Sequence, residues 1–203
     1  AERAVAAREV AVARALARAG VPAVALVEGA AERPGVGLGD GPPWSVEGCS
    51  VSAWAWVDAA GAATPSQLGA LAATLARRAA TGPALAAFDP FAAIAAAVAP
   101  FPADDPQASF VRDRAAALAA TWPEVVAADP GGVALVHGDL HVDNVIVGPD
   151  GPLLADLELA GVGPSSYDVA PAVVAVARYG APAASLEAFL AAYGRDPRSW
   201  PGF

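Results

Sequence analysis

His137-Gly-Asp-Leu-His-Val-Asp-Asn144, with Asp156-Leu-Glu158 close behind it, is the stretch of this 203-residue chain in which backbone pattern and chemistry coincide. Upstream, Val133-Ala-Leu-Val136 is a short apolar run suited to a buried strand entering the His137 turn. Downstream, Val145-Ile-Val147 is β-branched throughout and reads as a strand, and Leu153-Leu-Ala155 supplies its partner. Gly148-Pro-Asp-Gly151 between them is a cluster of turn formers. With the turn centred near Asp150, the strands run antiparallel and Asn144 falls opposite Asp156. Directly opposed residues stand about 4.5–5.5 Å apart at their β carbons. Two oxygen-bearing side chains at that separation can share one cation, and Asp139 sits on the loop just before them. Taken singly, each Asp or Asn is an ordinary loop residue. Together they supply what phosphoryl transfer needs: a carboxylate to receive a hydroxyl proton, and two oxygen ligands to hold magnesium against a nucleotide.

On these residues the stretch resembles the catalytic core of the aminoglycoside phosphotransferase and choline kinase-type enzymes, which share the protein-kinase-like fold. The resemblance implies an α+β, two-lobed architecture in which Asp139 is the catalytic Asp and Asn144 and Asp156 are the metal ligands. Protein kinases use a related His-Arg-Asp loop, with Asn at the same offset and an Asp before Phe-Gly. Here Gly138 replaces the Arg and Leu157-Glu158 replaces Phe-Gly, which points to the small-molecule branch and away from a protein kinase. Gly161-Val-Gly-Pro-Ser-Ser-Tyr-Asp168 is similar to the family's following segment, where the Asp is mainly structural. The resemblance is sharp over residues 133–170 and looser over 1–57. It divides the chain into an incomplete amino-terminal lobe, 1–57, and a mainly helical carboxy-terminal lobe, 58–203. The second lobe carries the catalytic loop 137–144, its β-hairpin and the metal-binding segment 156–158.

The opening helix is a second check. Val5, Glu9, Val12 and Leu16 are spaced four, three and four apart, so at about 100° per residue they share one face. Glu9 therefore falls inside the apolar stripe, where a carboxylate is costly unless paired; the bland alternative is a helix-edge Glu reaching water past its Ala neighbours. In the fold that the resemblance implies, such a Glu faces a strand Lys that holds the nucleotide phosphates. This chain has no Lys and no Met, and its glycine-rich Gly35-Val-Gly37-Leu-Gly39-Asp-Gly41 follows the helix instead of preceding it. That run reads as a loop between strands and not as a phosphate cover. The expectation is a fragment of a longer protein whose opening strands are not included. The Trp200-Pro-Gly-Phe203 end is likewise abrupt for the family, so further helices are expected beyond it.

Along the rest of the chain, residues 2–19 read as a helix closed by Gly20 and Pro22, and 23–27 as a strand. Residues 51–57 alternate with a period of two and read as another. The resemblance implies that this strand enters the hinge, where backbone groups such as those of Val57 meet the adenine and Trp54 or Trp56 lines the pocket. A strand Trp is also an ordinary core residue. Thr64-Pro-Ser-Gln67 is a capping box that opens a helix with Leu68, Leu71 and Leu75 on one side. Residues 100–106 read as a loop with Asp104-Asp105 solvated, and Ser185 as the cap of a last helix carrying Leu186, Phe189, Leu190 and Tyr193. His137 and His141 lie four apart, but with Gly138 between them and no Cys nearby they do not read as a zinc pair. His137 is expected to brace the turn. Glu158 is open between metal or substrate contact and turn capping.

Composition bounds the partners. A single Cys excludes an internal disulfide and suits a reducing, cytoplasmic compartment. The apolar fraction is mostly Ala, and no uncharged stretch is a credible membrane span. A net charge of −9 argues against nucleic acid and is compatible with a cationic substrate. The leading expectation is an ATP-dependent phosphotransferase, using Mg2+, that acts on a hydroxyl of a small molecule; ATP versus GTP is open. The other is a nucleotide-binding or scaffolding relative without turnover.

Overall fold

A computed structural model describes residues 2–29, 41–78 and 85–203. Helix α1, Glu2–Arg18, buries Val10, Val12, Ala13 and Leu16, while Val5 at its start is 48 % exposed. It ends as Gly20 predicts. Gly20 adopts φ +65°, its N–H donates to the Ala17 carbonyl, and the Val21 N–H reaches back to that of Leu16, with both Leu16 and Val21 buried. A residue with a Cβ would be strained at that φ. Residues 23–27, expected to form a strand, lie extended and bond on both sides without forming a regular one. Val24 N–H donates to Leu154 at 2.8 Å on one side; Val27 N–H donates to Ala53 at 2.9 Å on the other. The Gly35–Gly39 part of the expected loop falls outside the described residues.

Strands β1, Trp44–Val46, and β2, Cys49–Val51, form a hairpin that periodicity alone did not single out. Its turn residues, Glu47 and Gly48, both have positive φ, as a two-residue hairpin turn requires. The strand expected over 51–57 is corrected accordingly. Regular pairing stops at Val51, and the remainder is tied only by the Leu26–Trp54 bridge and its flanking bonds.

Helix α2, Pro65–Ala76, carries the capping box in full: Thr64 Oγ1 accepts from Gln67 N–H and Gln67 Oε1 accepts from Thr64 N–H. It buries Leu68, Leu71 and Leu75. Helix α3, Pro90–Val98, and helix α4, Pro106–Ala128, pair as a hairpin that adds only Ala108 to the buried set. Asp105 is not merely solvated: it caps α4 by accepting from Ala108 N–H at 2.8 Å. Strand β3, Val133–Val136, leads into the His137 turn. Strands β4, Val145–Gly148, and β5, Gly151–Leu154, form the expected hairpin, and β6, Gly161–Pro164, returns to pair antiparallel with β3. Helix α5, Ala170–Tyr179, and helix α6, Ala183–Tyr193, follow. Pro182, not Ser185, occupies the α6 cap, and Ser185 lies inside the first turn with its N–H on the Pro182 carbonyl. Leu186, Phe189 and Tyr193 are buried as expected.

One apolar cluster joins these parts. Val12 and Leu16 of α1, Leu71 and Leu75 of α2, Val145 and Leu154 of the hairpin and Phe189 of α6 pack together, with Leu157 just past β5. The loop bearing Asp139 and the segment bearing Asp156 therefore rest on the same core, joined to each other by the bond from Ala155 N–H to the Asn144 carbonyl.

Candidate active site

The residues of the 137–144 loop are held by Asp168. Asp168 is buried, and its carboxylate accepts from the backbone N–H groups of His137, at 2.7 Å, and Gly138, at 2.9 Å. Burial raises the Asp168 carboxyl above its usual range, against the lowering effect of His137 and these two donors. His137 is buried with Nε2 2.8 Å from the Ala155 carbonyl, while Nδ1 accepts from Asp139 N–H at 3.3 Å. A carbonyl only accepts, so the ring proton sits on Nε2 and the imidazole pins the turn to the end of β5. Gly138 has φ +84°, and a Cβ there would stand 2.6 Å from the Phe88 ring and 3.0 Å from the Leu159 carbonyl oxygen. An Arg in its place, as in protein kinases, would be strained and would clash.

Asp139 stands on this turn with its side chain 50 % exposed. Asn144, buried at the start of the hairpin, donates its amide to the Asp139 carbonyl oxygen at 2.9 Å and to Asp139 Oδ2 at 3.1 Å. Both partners are acceptors, so the amide nitrogen faces Asp139 and the Asn144 oxygen is turned away from it. His141 Nε2 lies 3.4 Å from the same Asp139 oxygen, and its Nδ1 accepts from Asp143 N–H.

The hairpin register differs from the expected one by a residue. Val145 pairs with Leu154 and Gly148 with Gly151, so Asn144 stands across from Ala155, whose N–H it receives at 2.9 Å. Asp156 is one position further on. Regular strand geometry would send its side chain to the face opposite that of Asn144. The chain leaves that geometry at this point: Asp156 has φ +55°, a left-handed conformation rare for a residue with a Cβ. With that backbone, Asp156 lies exposed at the edge of a cavity of about 610 Å³.

Glu9, Val24, Trp54, Trp56, Val57, Ile146, Leu154 and Leu157 line that cavity with Asp156. The lining is mainly apolar, and Glu9, Asp58 and Asp156 bring carboxylates to it. Glu9 has its carboxyl raised above the usual range, first by burial and then by the negative charges of Asp156 and Glu158. Trp56 is 89 % exposed, its indole N–H on Asp58, so it forms a rim; Trp54 packs partly into the core. The segment after Val57 is fastened to the hairpin by Ala60 N–H on the Val147 carbonyl at 2.7 Å.

The expected residues thus fall into two groups. Asp139, Asn144, His141, His137 and Asp168 meet at the loop; Glu9, Asp156, Trp56 and Val57 line the cleft, with Glu158 close enough to act on Glu9. Asn144 does not line the cleft on which Asp156 opens. Two further residues enter that sequence reading did not assign. Arg8 donates from α1 to the carbonyls of Leu159 and Ala160. Tyr167 stacks on Phe88 at a 4.4 Å centroid separation, and its hydroxyl is held above its usual pKa by burial, then by Asp168 and Asp139. Arg8 lay beside Glu9 at the margin of the apolar stripe, which was the available hint.

The oxygen-rich donor set suits a hard cation such as Mg2+, which prefers carboxylate and carbonyl oxygens and retains water. Among the described residues no three His, Cys, Asp or Glu side chains converge to hold an ion unaided.

The sequence profile of the phosphotransferase enzyme family matches residues 1–203, and the chain belongs to that family. Its fold is that of the protein-kinase-like aminoglycoside phosphotransferases and choline kinases. It is similar to an aminoglycoside phosphotransferase from Streptomyces rimosus, with 18 % identity, a TM-score of 0.59, and coverage of 94 % of this chain and 76 % of the other. It is similar to the choline kinase of Streptococcus pneumoniae, with 18 % identity, a TM-score of 0.58, and coverage of 94 % and 62 %; that kinase is also solved in complex with AMP. A choline/ethanolamine kinase family protein from Mesorhizobium loti has 20 % identity and a TM-score of 0.57, with coverage of 93 % and 59 %. The chain therefore spans 59 % and 62 % of the length of the two kinases. No curated protein matches the sequence. Among the described residues, no helix is long and apolar enough to cross a membrane.

Proposed function

We propose that this chain forms the core of an ATP-dependent phosphotransferase that moves the γ-phosphoryl group to a hydroxyl of a small molecule. The observation that carries this reading is the Asp139 carboxylate. One of its oxygens is held by Asn144, and the group stands half-exposed at the end of a braced turn. In this reading the nucleotide base enters the apolar cavity between Trp54, Val57 and Leu154, with Trp56 at its rim. The AMP complex of the choline kinase supports a nucleotide as the ligand of this fold.

Asp139 orients the acceptor hydroxyl and takes its proton as the new oxygen–phosphorus bond forms. The bond from the γ-phosphorus to the bridging oxygen breaks, and ADP leaves with the electron pair. Asn144 keeps the Asp139 carboxylate in one rotamer, and Asp168 and His137 keep the turn itself in place. Asn144 and Asp156 would hold magnesium, which when bound offsets charge on the β- and γ-phosphates. Positioning supplies most of the gain, because the loose transition state asks little covalent work of the protein. The acidic cleft edge favours an acceptor bearing an amine, and a cytoplasmic setting would supply the nucleotide.

The test is Asp139→Asn in the full-length protein, assayed with Mg2+ and ATP or GTP against a panel of hydroxyl compounds, amines and sugars included. Loss of a general base costs roughly 10²–10⁴-fold in kcat, and nucleotide affinity should be retained. Undiminished turnover in the variant would refute the role of Asp139. Nucleotide binding without turnover in the unmutated protein would establish the non-catalytic relative instead.

A further inference from the structure

We infer that Arg8 is a positioning residue: by donating to the carbonyls of Leu159 and Ala160, it sets where segment 156–158 stands against helix α1 and Glu9. The assignment rests on the phosphotransferase reading, since that reading is what makes the placement of Asp156 matter.

The bonds are direct. Arg8 Nη2 lies 3.3 Å from the Leu159 oxygen and 3.1 Å from the Ala160 oxygen. Both acceptors are main-chain atoms, so the contact bears on the course of the backbone and does not depend on the rotamers of Leu159 or Ala160. The segment it grips is a tight turn. It opens at Asp156 with φ +55°, buries Leu157, and closes with Ala160 N–H on the Leu157 carbonyl at 3.1 Å. Leu159 has a second neighbour: a Cβ on Gly138 would stand 3.0 Å from its oxygen and 3.2 Å from its Cβ. One guanidinium thus ties α1 to the turn after Asp156, and through Leu159 to the turn that presents Asp139.

Apolar packing does not fix this end of α1. Val10, Val12, Ala13 and Leu16 hold the later turns, but Val5, one turn before Glu9, is 48 % exposed. Among the described residues, the other side-chain hydrogen bonds of α1 are those of Arg14 to Glu28, away from the cleft. Arg8 Nε is buried without a partner, a cost that an apolar side chain in the same place would avoid. A residue that breaks the rule of polar satisfaction beside a candidate site is better explained by what it positions than by what it stabilises.

The test compares Arg8→Ala, Arg8→Lys and Arg14→Ala in the full chain. Mn2+ affinity in the presence of a non-hydrolysable ATP analogue is read by electron paramagnetic resonance, beside the melting temperature and amide hydrogen exchange over residues 156–161. Arg8→Ala should weaken Mn2+ binding about tenfold, as loss of an outer support of a metal site does. Arg8→Lys, which keeps the charge and shortens the reach, should weaken it less and serves if the Ala variant does not fold. Arg14→Ala should leave binding unchanged even if its melting temperature falls as far. Unaltered binding in Arg8→Ala, or an equal loss in Arg14→Ala, overturns the assignment. If the unmutated chain binds no Mn2+–nucleotide, the phosphotransferase reading fails separately and hydrogen exchange decides. Faster exchange over 156–161 in Arg8→Ala alone upholds the clamp; the same exchange in all three variants overturns it.

Discussion

Asp139 and Glu9 are both carboxylates at the candidate site, and their surroundings separate them. Asp139 keeps half its surface in water and has the Asn144 amide as donor. Glu9 is partly buried, faces Asp156 and Glu158, and is held above its ordinary 4.5. A carboxyl raised in the folded state binds its proton more tightly there than in the unfolded chain, so its ionisation costs stability above the raised value. That cost disappears as pH falls through the raised value towards 4.5. Glu9→Gln is therefore expected to raise the melting temperature at neutral pH, with the gain shrinking as the solution is acidified through that window. Thermal scans from neutral to acid pH check this, and a gain independent of pH would show that the neighbouring charges are not the cause. The types at both positions were legible in the sequence, Asp139 from its loop and Glu9 from helical spacing. Their different electrostatic settings were not, because Asp156 and Glu158 reach Glu9 only through the fold.

At the scale of elements, local chemistry was read well where partners are near in sequence. The Thr64 capping box, the Gly20 helix end and the hairpin about Gly148–Gly151 all formed. The misses came where local signals compete with packing. Packing also overrides propensity at Gly69, in the middle of α2. Helix propensity alone predicts that Gly69→Ala stabilises by up to about 1 kcal/mol. In the structure a Cβ there would lie 2.2 Å from the Phe189 carbonyl oxygen and 3.1 Å from the Ala192 Cβ. Backbone cannot yield as a side-chain tip can, so α2 and α6 must move apart. The overpacking cost, about 3 kcal/mol, outweighs the propensity gain. Urea unfolding should show a lowered midpoint, and an unchanged or raised one would mean that the helices are less closely apposed.

For the whole molecule, the site is a product of one shared core. Leu154, at the end of β5, is fully buried in the shared apolar cluster, and its backbone also bonds the extended segment after α1. The cleft and the 137–144 loop should therefore unfold together, and a ligand that occupies the cleft should stabilise the entire unit. At a free concentration of Mg2+–nucleotide a hundredfold above its dissociation constant, the gain is about 2.7 kcal/mol. Calorimetry should show one transition that moves up with nucleotide; two transitions, with only one responsive, would contradict a common core. By itself the sequence determined the hairpin after residue 144, the Gly20 end of α1 and the Thr64 cap of α2, because each depends on residues a few positions apart, and the motif over 137–158 pointed to the class of fold through its resemblance to a known family. Only the tertiary structure decided the one-residue register that places Asn144 across from Ala155 and the left-handed backbone of Asp156. It also decided the grip of Asp168 on a turn 30 residues away and that of Arg8 on carbonyls more than 150 residues away. Such contacts are set by the summed packing of many side chains, and no local pattern encodes where that sum is lowest.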